Sequence, residues 1–179
     1  MEAVQIRRVD EFQIGAALRQ EIAGMLGRAF PGYPKGRTYY MQLPVFRFLA
    51  TENGTIIGHL AVEHRMVNMG GVPVRVFGVS DLCVEDAFRG KRIGSLLIEK
   101  LEQEGIDSGV DFILLVASDK DFYRLNGYEQ VKNPCRWVSI EDHHTLELVQ
   151  RSLAGDLMVK SLGSKKWGEG LVDLLGTMF

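Results

Sequence analysis

The chain has 179 residues, 46% of them hydrophobic, and a formal net charge of −2, which suits one folded core and excludes a protein that binds polyanions through overall basicity. Its two cysteines, Cys83 and Cys135, show neither a CxxC nor a metal-ligand spacing. No apolar run reaches the roughly 18–20 residues that span a bilayer, and residues 1–8 hold no signal-peptide stretch, so a cytoplasmic protein of one domain, 1–179, is expected.

In chain order, residues 4–9 read as a short strand with Val4 and Ile6 on one face. A helix is then expected from Asp10 or Glu11 through Arg28, because Ile14, Leu18, Ile22, Met25 and Leu26 recur at helical spacing. Pro31, Gly32, Pro34 and Gly36 predict a loop, with Tyr33, Tyr39, Tyr40 and Met41 clustered around it. Residues 45–51 and 55–67 read as strands joined by a two-residue Asn53-Gly54 hairpin, with a bulge expected at Gly58. A second hairpin at Gly70-Gly71 leads into a third strand over 73–84. After Gly94 an amphipathic helix buries Ile93, Leu96, Leu97 and Leu101. Residues 112–117 form a continuous apolar run, expected of a strand buried on both faces.

Ser118 is placed to cap a short helix that closes at Asn126-Gly127, and the next strand runs from Tyr128 to about Asn133. Beyond Arg136 a short helix is expected over about 144–153 and a strand near 157–162, followed by a Gly-rich tail. The order of a meander, a helix, a buried strand, a helix and a strand predicts an α+β fold with a mixed, mostly antiparallel sheet flanked by helices.

The most informative stretch runs from the strand end Leu82, Cys83 and Val84 through Arg89, Gly90, Lys91, Arg92, Ile93 and Gly94 to Ser95. It sets an apolar strand, a cationic Gly-rich turn and a helix N-terminus in succession. Unpartnered N–H groups and the helix dipole favour an anion there, the glycines let a ligand approach, and the guanidinium and ammonium groups can meet phosphate oxygens. A pyrophosphate fits this order.

The order Leu-x-Val, a spacer, Arg-Gly-Lys-x-Ile-Gly and an aliphatic helix resembles the signature motif of the GNAT acetyltransferase superfamily. Phe122-Tyr123-Arg124-Leu125-Asn126-Gly127-Tyr128 resembles a second segment of the same family. The resemblance covers most of residues 45–133 and departs from the family at Arg92, where glycine is usual. It implies acetyl-CoA as co-substrate, with pantetheine along the backbone of residues 82–84 and pyrophosphate on residues 89–95. Tyr123 would then protonate the departing thiolate, and Tyr33 would belong to the acceptor wall. Length and C-terminal extension, about 136–179, also look similar to aminoglycoside 2'-N-acetyltransferases. By that likeness Asp173 and the Phe179 carboxylate would bind a cationic acceptor.

An attacking ammonium must first lose a proton. Strand alternation places Ser80, Leu82 and Val84 on one face and Asp81, Cys83 and Glu85 on the other, and an aspartate in an apolar strand is costly unless paired or wet. Asp81 is the candidate base, with Glu63, His64 and Glu85 as alternatives. The four histidines lack metal-site spacing, so no metal is expected, and no serine elbow or Cys/His pattern suggests a covalent intermediate. The expected function is direct N-acetyl transfer to a primary amine of a small molecule, without nucleic-acid or membrane partners and with a homodimer left open. A non-catalytic acyl-CoA-binding module and a protein or peptide N-acetyltransferase are the alternatives.

Overall fold

The computed structural model describes residues 4–179. Its elements are β1 (Gln5–Asp10), a 3-10 turn (Glu11–Gln13), α1 (Ala16–Ala29), β2 (Phe46–Glu52), β3 (Thr55–Met69), β4 (Val72–Val84), a second 3-10 turn (Asp86–Phe88) and α2 (Ile93–Asp107). There follow β5 (Phe112–Val116), α3 (Lys120–Leu125), β6 (Glu129–Gln130), β7 (Pro134–Glu141), β8 (His144–Ser152), β9 (Leu157–Ser161) and β10 (Val172–Thr177). The β4–β5 and β7–β10 pairs are parallel. The β1–β2, β2–β3, β3–β10, β5–β9, β6–β9 and β7–β8 pairs are antiparallel, so the expected α+β fold with a mixed, mostly antiparallel sheet is present. Among the described residues no helix is long and apolar enough to cross a membrane.

The chain forms two compact units. The first runs to Glu63 and resumes over Ser80–Leu101; the second comprises His64–Val79 and Glu102–Phe179.

In the first unit, β1, β2 and the start of β3 form a meander. Asn53 and Gly54 close its hairpin with φ of 51° and 77°, the double left-handed pair that a tight antiparallel connection requires. Ala50 pairs with Gly58 and Thr51 with Ile56, which leaves Ile57 as the extra residue of a bulge beside the glycine expected there. Gly58 is small for a packing reason: a Cβ on it would lie 2.9 Å from Ile93 Cγ2 and 3.2 Å from both Ala50 Cβ and Leu97 Cδ1. Its hydrogen is what lets the first turn of α2 approach β3.

Helix α1 buries Ile22, Met25 and Leu26, one face at the i, i+3, i+4 spacing, against Val9, Ile14, Leu49, Ile56 and Cys83. It starts at Ala16 after Gly15, not at Asp10 or Glu11. Residues 11–13 make a separate turn because the Glu11 side chain is drawn into the protein by Arg47 of β2.

The second unit orders its strands β6-β9-β5-β4-β3-β10-β7-β8. Val67, Val74, Val76, Phe112, Leu114, Trp137, Val159 and Leu174 supply its core. Helix α3 is capped by Asp119, whose carboxylate accepts from the Phe122 N–H at 3.4 Å, rather than by Ser118. Gly127, at φ 81°, closes it as expected. The strand expected from Tyr128 to Asn133 is reduced to β6.

The helix expected over 144–153 is strand β8, paired antiparallel to β7 from Glu141↔His144 to Pro134↔Ser152. Asp142 and His143, both with positive φ, make the turn. Thr145, Leu146, Glu147 and Leu148 alternate polar and apolar as in a strand, and the facing β7 completes a ladder that residues 144–153 alone could not signal. The Gly-rich tail likewise contains a strand, β10, because Val172 and Leu174 enter the core beside β7.

Replacing Gly58 by alanine is expected to cost about 1–3 kcal/mol, since neither the Ala50 Cβ, fixed to its strand, nor the branched Ile93 side chain can withdraw freely. Thermal unfolding should show a fall of about 2–10 °C; an unchanged midpoint would mean that α2 is not held by this contact.

Candidate active site

The alternation expected through β4 fails at Asp81. Its φ is 53°, a left-handed backbone inside a strand and sparsely populated for a residue that carries a Cβ. The twist directs the half-buried Asp81 carboxylate to Tyr33, whose hydroxyl donates to Oδ2 at 2.7 Å. Tyr33 comes from the loop after α1, and its ring makes tilted contacts with those of Phe30 and Tyr40. A candidate base and a candidate acceptor-wall residue, distant in sequence, thus share one hydrogen bond.

On the backbone side, the Asp81 carbonyl accepts from His59 Nδ1 at 2.8 Å. His59 Nε2 lies 2.9 Å from Nη1 of Arg47, and Arg47 Nε donates to Glu11 Oε2 at 2.8 Å. Arg47 and His59 are each 0% exposed and Glu11 is 8% exposed. Burial, and then the Arg47 charge, lower the His59 pKa to about 3, against the opposing hydrogen bond to Asp81. The ring is neutral throughout the physiological range.

Burial raises the Asp81 pKa above its ordinary value, opposed by the Tyr33 hydrogen bond and the Arg47 charge. Burial and the neighbouring Asp81 carboxylate push the Tyr33 hydroxyl far above the ordinary tyrosine range, so it keeps its proton as a donor. Cys83 sits in the core of the first unit, and burial, with the charges of Asp81 and Glu85, pushes its thiol up to about 12. A thiol so held packs as an apolar group and is no nucleophile.

The segment after β4 is held by α1 and by its own side chains. Arg28 pairs with Glu85 at 2.6 Å, Arg89 with Asp86 at 2.9 Å, and the Lys91 ammonium lies 4.6 Å from the Phe88 ring centroid. Gly90 and Arg92 both have positive φ, 76° and 63°. Arg92 therefore adopts the backbone for which glycine is the natural residue, and its side chain turns outward to Glu99 at 3.1 Å, 75% exposed. Its carbonyl accepts from Leu96 N–H and opens α2. The N–H groups of Ile93, Gly94 and Ser95 form the helix's first turn and have no partner within it. Alongside, a cavity of about 500 Å³ is lined by Glu21, Met25 and Arg28 of α1, Ile56 of β3 and residues 84–89.

The remaining candidates lie in the second unit. Tyr123, on α3, packs edge-on against Phe122 and Tyr128, and burial pushes its hydroxyl up to about 12. The Asp173 carboxylate is taken by Arg136, through Nη2 at 2.6 Å and Nε at 3.0 Å, and also accepts from the Leu175 N–H. The Phe179 ring lies over Gly78 and under the Arg65 guanidinium. The alternatives Glu63 and His64 fall in different units, and the His64 ring meets Phe77 edge-on. Glu11, Arg47 and His59 had no motif to mark them; the one available signal was an arginine inside the apolar run of β2.

A family model described as an acetyltransferase (GNAT) domain matches residues 6–131. The chain is 28% identical over 85 residues to an uncharacterized N-acetyltransferase, CT2212, of Chlorobaculum tepidum, a match that spans 48% of this chain and half of that relative. The GNAT-family N-acetyltransferase YhbS of Escherichia coli, solved in complex with CoA, superposes with a TM-score of 0.66 at 18% identity, over 95% of this chain and 88% of that one. A GNAT-family acetyltransferase of Brucella melitensis in complex with acetyl-CoA gives a TM-score of 0.62 at 18% identity, over 94% of each chain.

Two outcomes follow from this geometry. Arg92→Gly should raise unfolding stability by about 1 kcal/mol by relieving the left-handed backbone, read by chemical denaturation; a loss of stability would mean that the Glu99 pair outweighs the strain. His59 takes up a proton below pH 6.5 only when unfolded, so the folded state loses stability as pH falls from 6.5 toward 3. Between pH 7 and pH 5 this amounts to about 2 kcal/mol, and His59→Asn should remove that share of the decline. An equally steep decline in the variant would assign it to other groups.

Proposed function

Because the chain belongs to the GNAT acetyltransferase family, we propose that it transfers the acetyl group of acetyl-CoA directly to a primary amine of a small-molecule acceptor, with Asp81 as the base. The observation that carries this reading is the 2.7 Å hydrogen bond from Tyr33 to Asp81, at a residue whose left-handed backbone turns its carboxylate out of the strand pattern. The CoA and acetyl-CoA held by the Escherichia coli and Brucella proteins support the co-substrate. So do Gly90, Arg92 and the open first turn of α2, which offer backbone N–H groups to a pyrophosphate.

In the proposed reaction Asp81 accepts a proton from the acceptor's ammonium group, and the freed nitrogen attacks the thioester carbonyl carbon. The C–N bond forms, the C–S bond breaks, and the electron pair leaves on sulfur. Tyr123 supplies the proton that turns the thiolate into CoA thiol. Its elevated pKa suits a group that stays protonated until the sulfur carries charge. As the amide forms the nitrogen loses a second proton, which replaces the one Tyr123 gave, and Asp81 releases the first to solvent, so the sum is amide, CoA thiol and one released proton. Tyr33 holds the Asp81 carboxylate in place without competing for its proton.

The test is thiol release from acetyl-CoA with a panel of amines. Asp81→Asn should lower kcat about 10²–10³-fold, and Tyr123→Phe about 10²-fold, with the KM for acetyl-CoA unchanged in both. Asp81 acts when ionised, so kcat/KM should fall tenfold per pH unit on an acid limb that burial shifts upward from the ordinary aspartate value, and this limb should vanish in Asp81→Asn. A limb that persists in the variant moves the base elsewhere. Acetyl-CoA binding without turnover of any amine would make the protein a binding module, and no binding at millimolar concentration would refute the proposal.

A further inference from the structure

Residue 81 is aspartate, not glycine, and yet takes the left-handed backbone on which its contact with Tyr33 depends. The carbonyl of that residue is held by His59 at 2.8 Å. A carbonyl oxygen only accepts, so His59 Nδ1 is the donor in this bond. A guanidinium only donates, so the 2.9 Å contact between Arg47 Nη1 and His59 Nε2 makes Nε2 the acceptor. The two contacts admit one state of the ring, neutral with its single proton on Nδ1. Glu11 accepts from Nε of Arg47 at 2.8 Å and holds the guanidinium in turn.

We propose that His59, held in one tautomer by Arg47, is a positioning residue for Asp81: its Nδ1–H fixes the residue 81 carbonyl and so keeps the carboxylate turned toward Tyr33. Arg47 and His59 have no exposed surface, so neither touches a substrate that arrives from solvent. They act through the backbone of a third residue. The relay starts at the turn after β1 and passes through β2 and β3 to the end of β4, which ties the geometry of residue 81 to the first strands of the unit. The catalytic consequence rests on the reading of Asp81 as base.

Two conservative variants separate positioning from simple packing. His59→Asn keeps a donor at the place of Nδ1 and loses the acceptor for Arg47. His59→Gln places an acceptor where Nε2 stood and loses the donor to Asp81. Both shorten the same buried relay, so similar falls in Tm are expected. Turnover should differ: kcat within about threefold of wild type for His59→Asn and about a hundredfold lower for His59→Gln, with the KM for acetyl-CoA unchanged. Equal kcat values in the two variants overturn the proposal.

Asp81→Asn, measured alongside, keeps the two claims apart. Wild-type turnover there removes the base reading, and the positioning claim is then judged by long-range 1H–15N spectra of the unmodified protein. A proton on His59 Nδ1 is the expected result, and a proton on Nε2 overturns the claim. The spectra decide equally if neither His59 variant folds.

Discussion

A guanidinium with no exposed surface is the constraint on which the first unit is built. Moving Arg47 out of water is costly, and its place in β2 is tenable because Glu11 supplies a carboxylate and His59 a ring nitrogen at hydrogen-bonding distance. Both partners are reshaped by that demand. Glu11 leaves the helix it would otherwise open and folds into a separate turn, and His59 is kept neutral in the protein interior. Replacing one member alone would strand the others, so the group behaves as a unit.

The consequence reaches the chemistry through backbone rather than through side chains. Two residues with a Cβ, Asp81 and Arg92, take left-handed conformations on either side of the turn that joins β4 to α2. At residue 81 the conformation is opposed by sterics and retained by hydrogen bonds on both its carbonyl and its carboxylate. At residue 92 the side chain is simply sent outward to Glu99, away from the backbone of the turn. The same departure from ordinary geometry thus directs a carboxylate in one case and clears a side chain away in the other.

Much of this was legible in the sequence because it depends on local chemistry. Asn53-Gly54 and Gly70-Gly71 set their turns, Gly58 marked its bulge, and the run from Leu82 to Ser95 announced a strand, a turn and a helix start. What could not be read depends on partners far along the chain. Strand β8 exists because β7 faces it, and β10 because Val172 and Leu174 find a core. Tyr33 and Asp81 were separate candidates until the fold brought them together. Strict alternation, applied to Asp81, missed the left-handed turn that brings its carboxylate to Tyr33, since nothing local to Ser80-Asp81-Leu82 signals that His59 waits for its carbonyl.

Residues 81–95 of the first unit are proposed as the acetyl-CoA and base site. A crystal structure of the protein with CoA tests this most directly. It should show pyrophosphate oxygens within hydrogen-bonding distance of backbone N–H groups between Gly90 and Ser95, with Asp81 still left-handed and bonded to Tyr33. A pyrophosphate bound away from that turn, or an Asp81 in ordinary extended backbone with its carboxylate released from Tyr33, would contradict it.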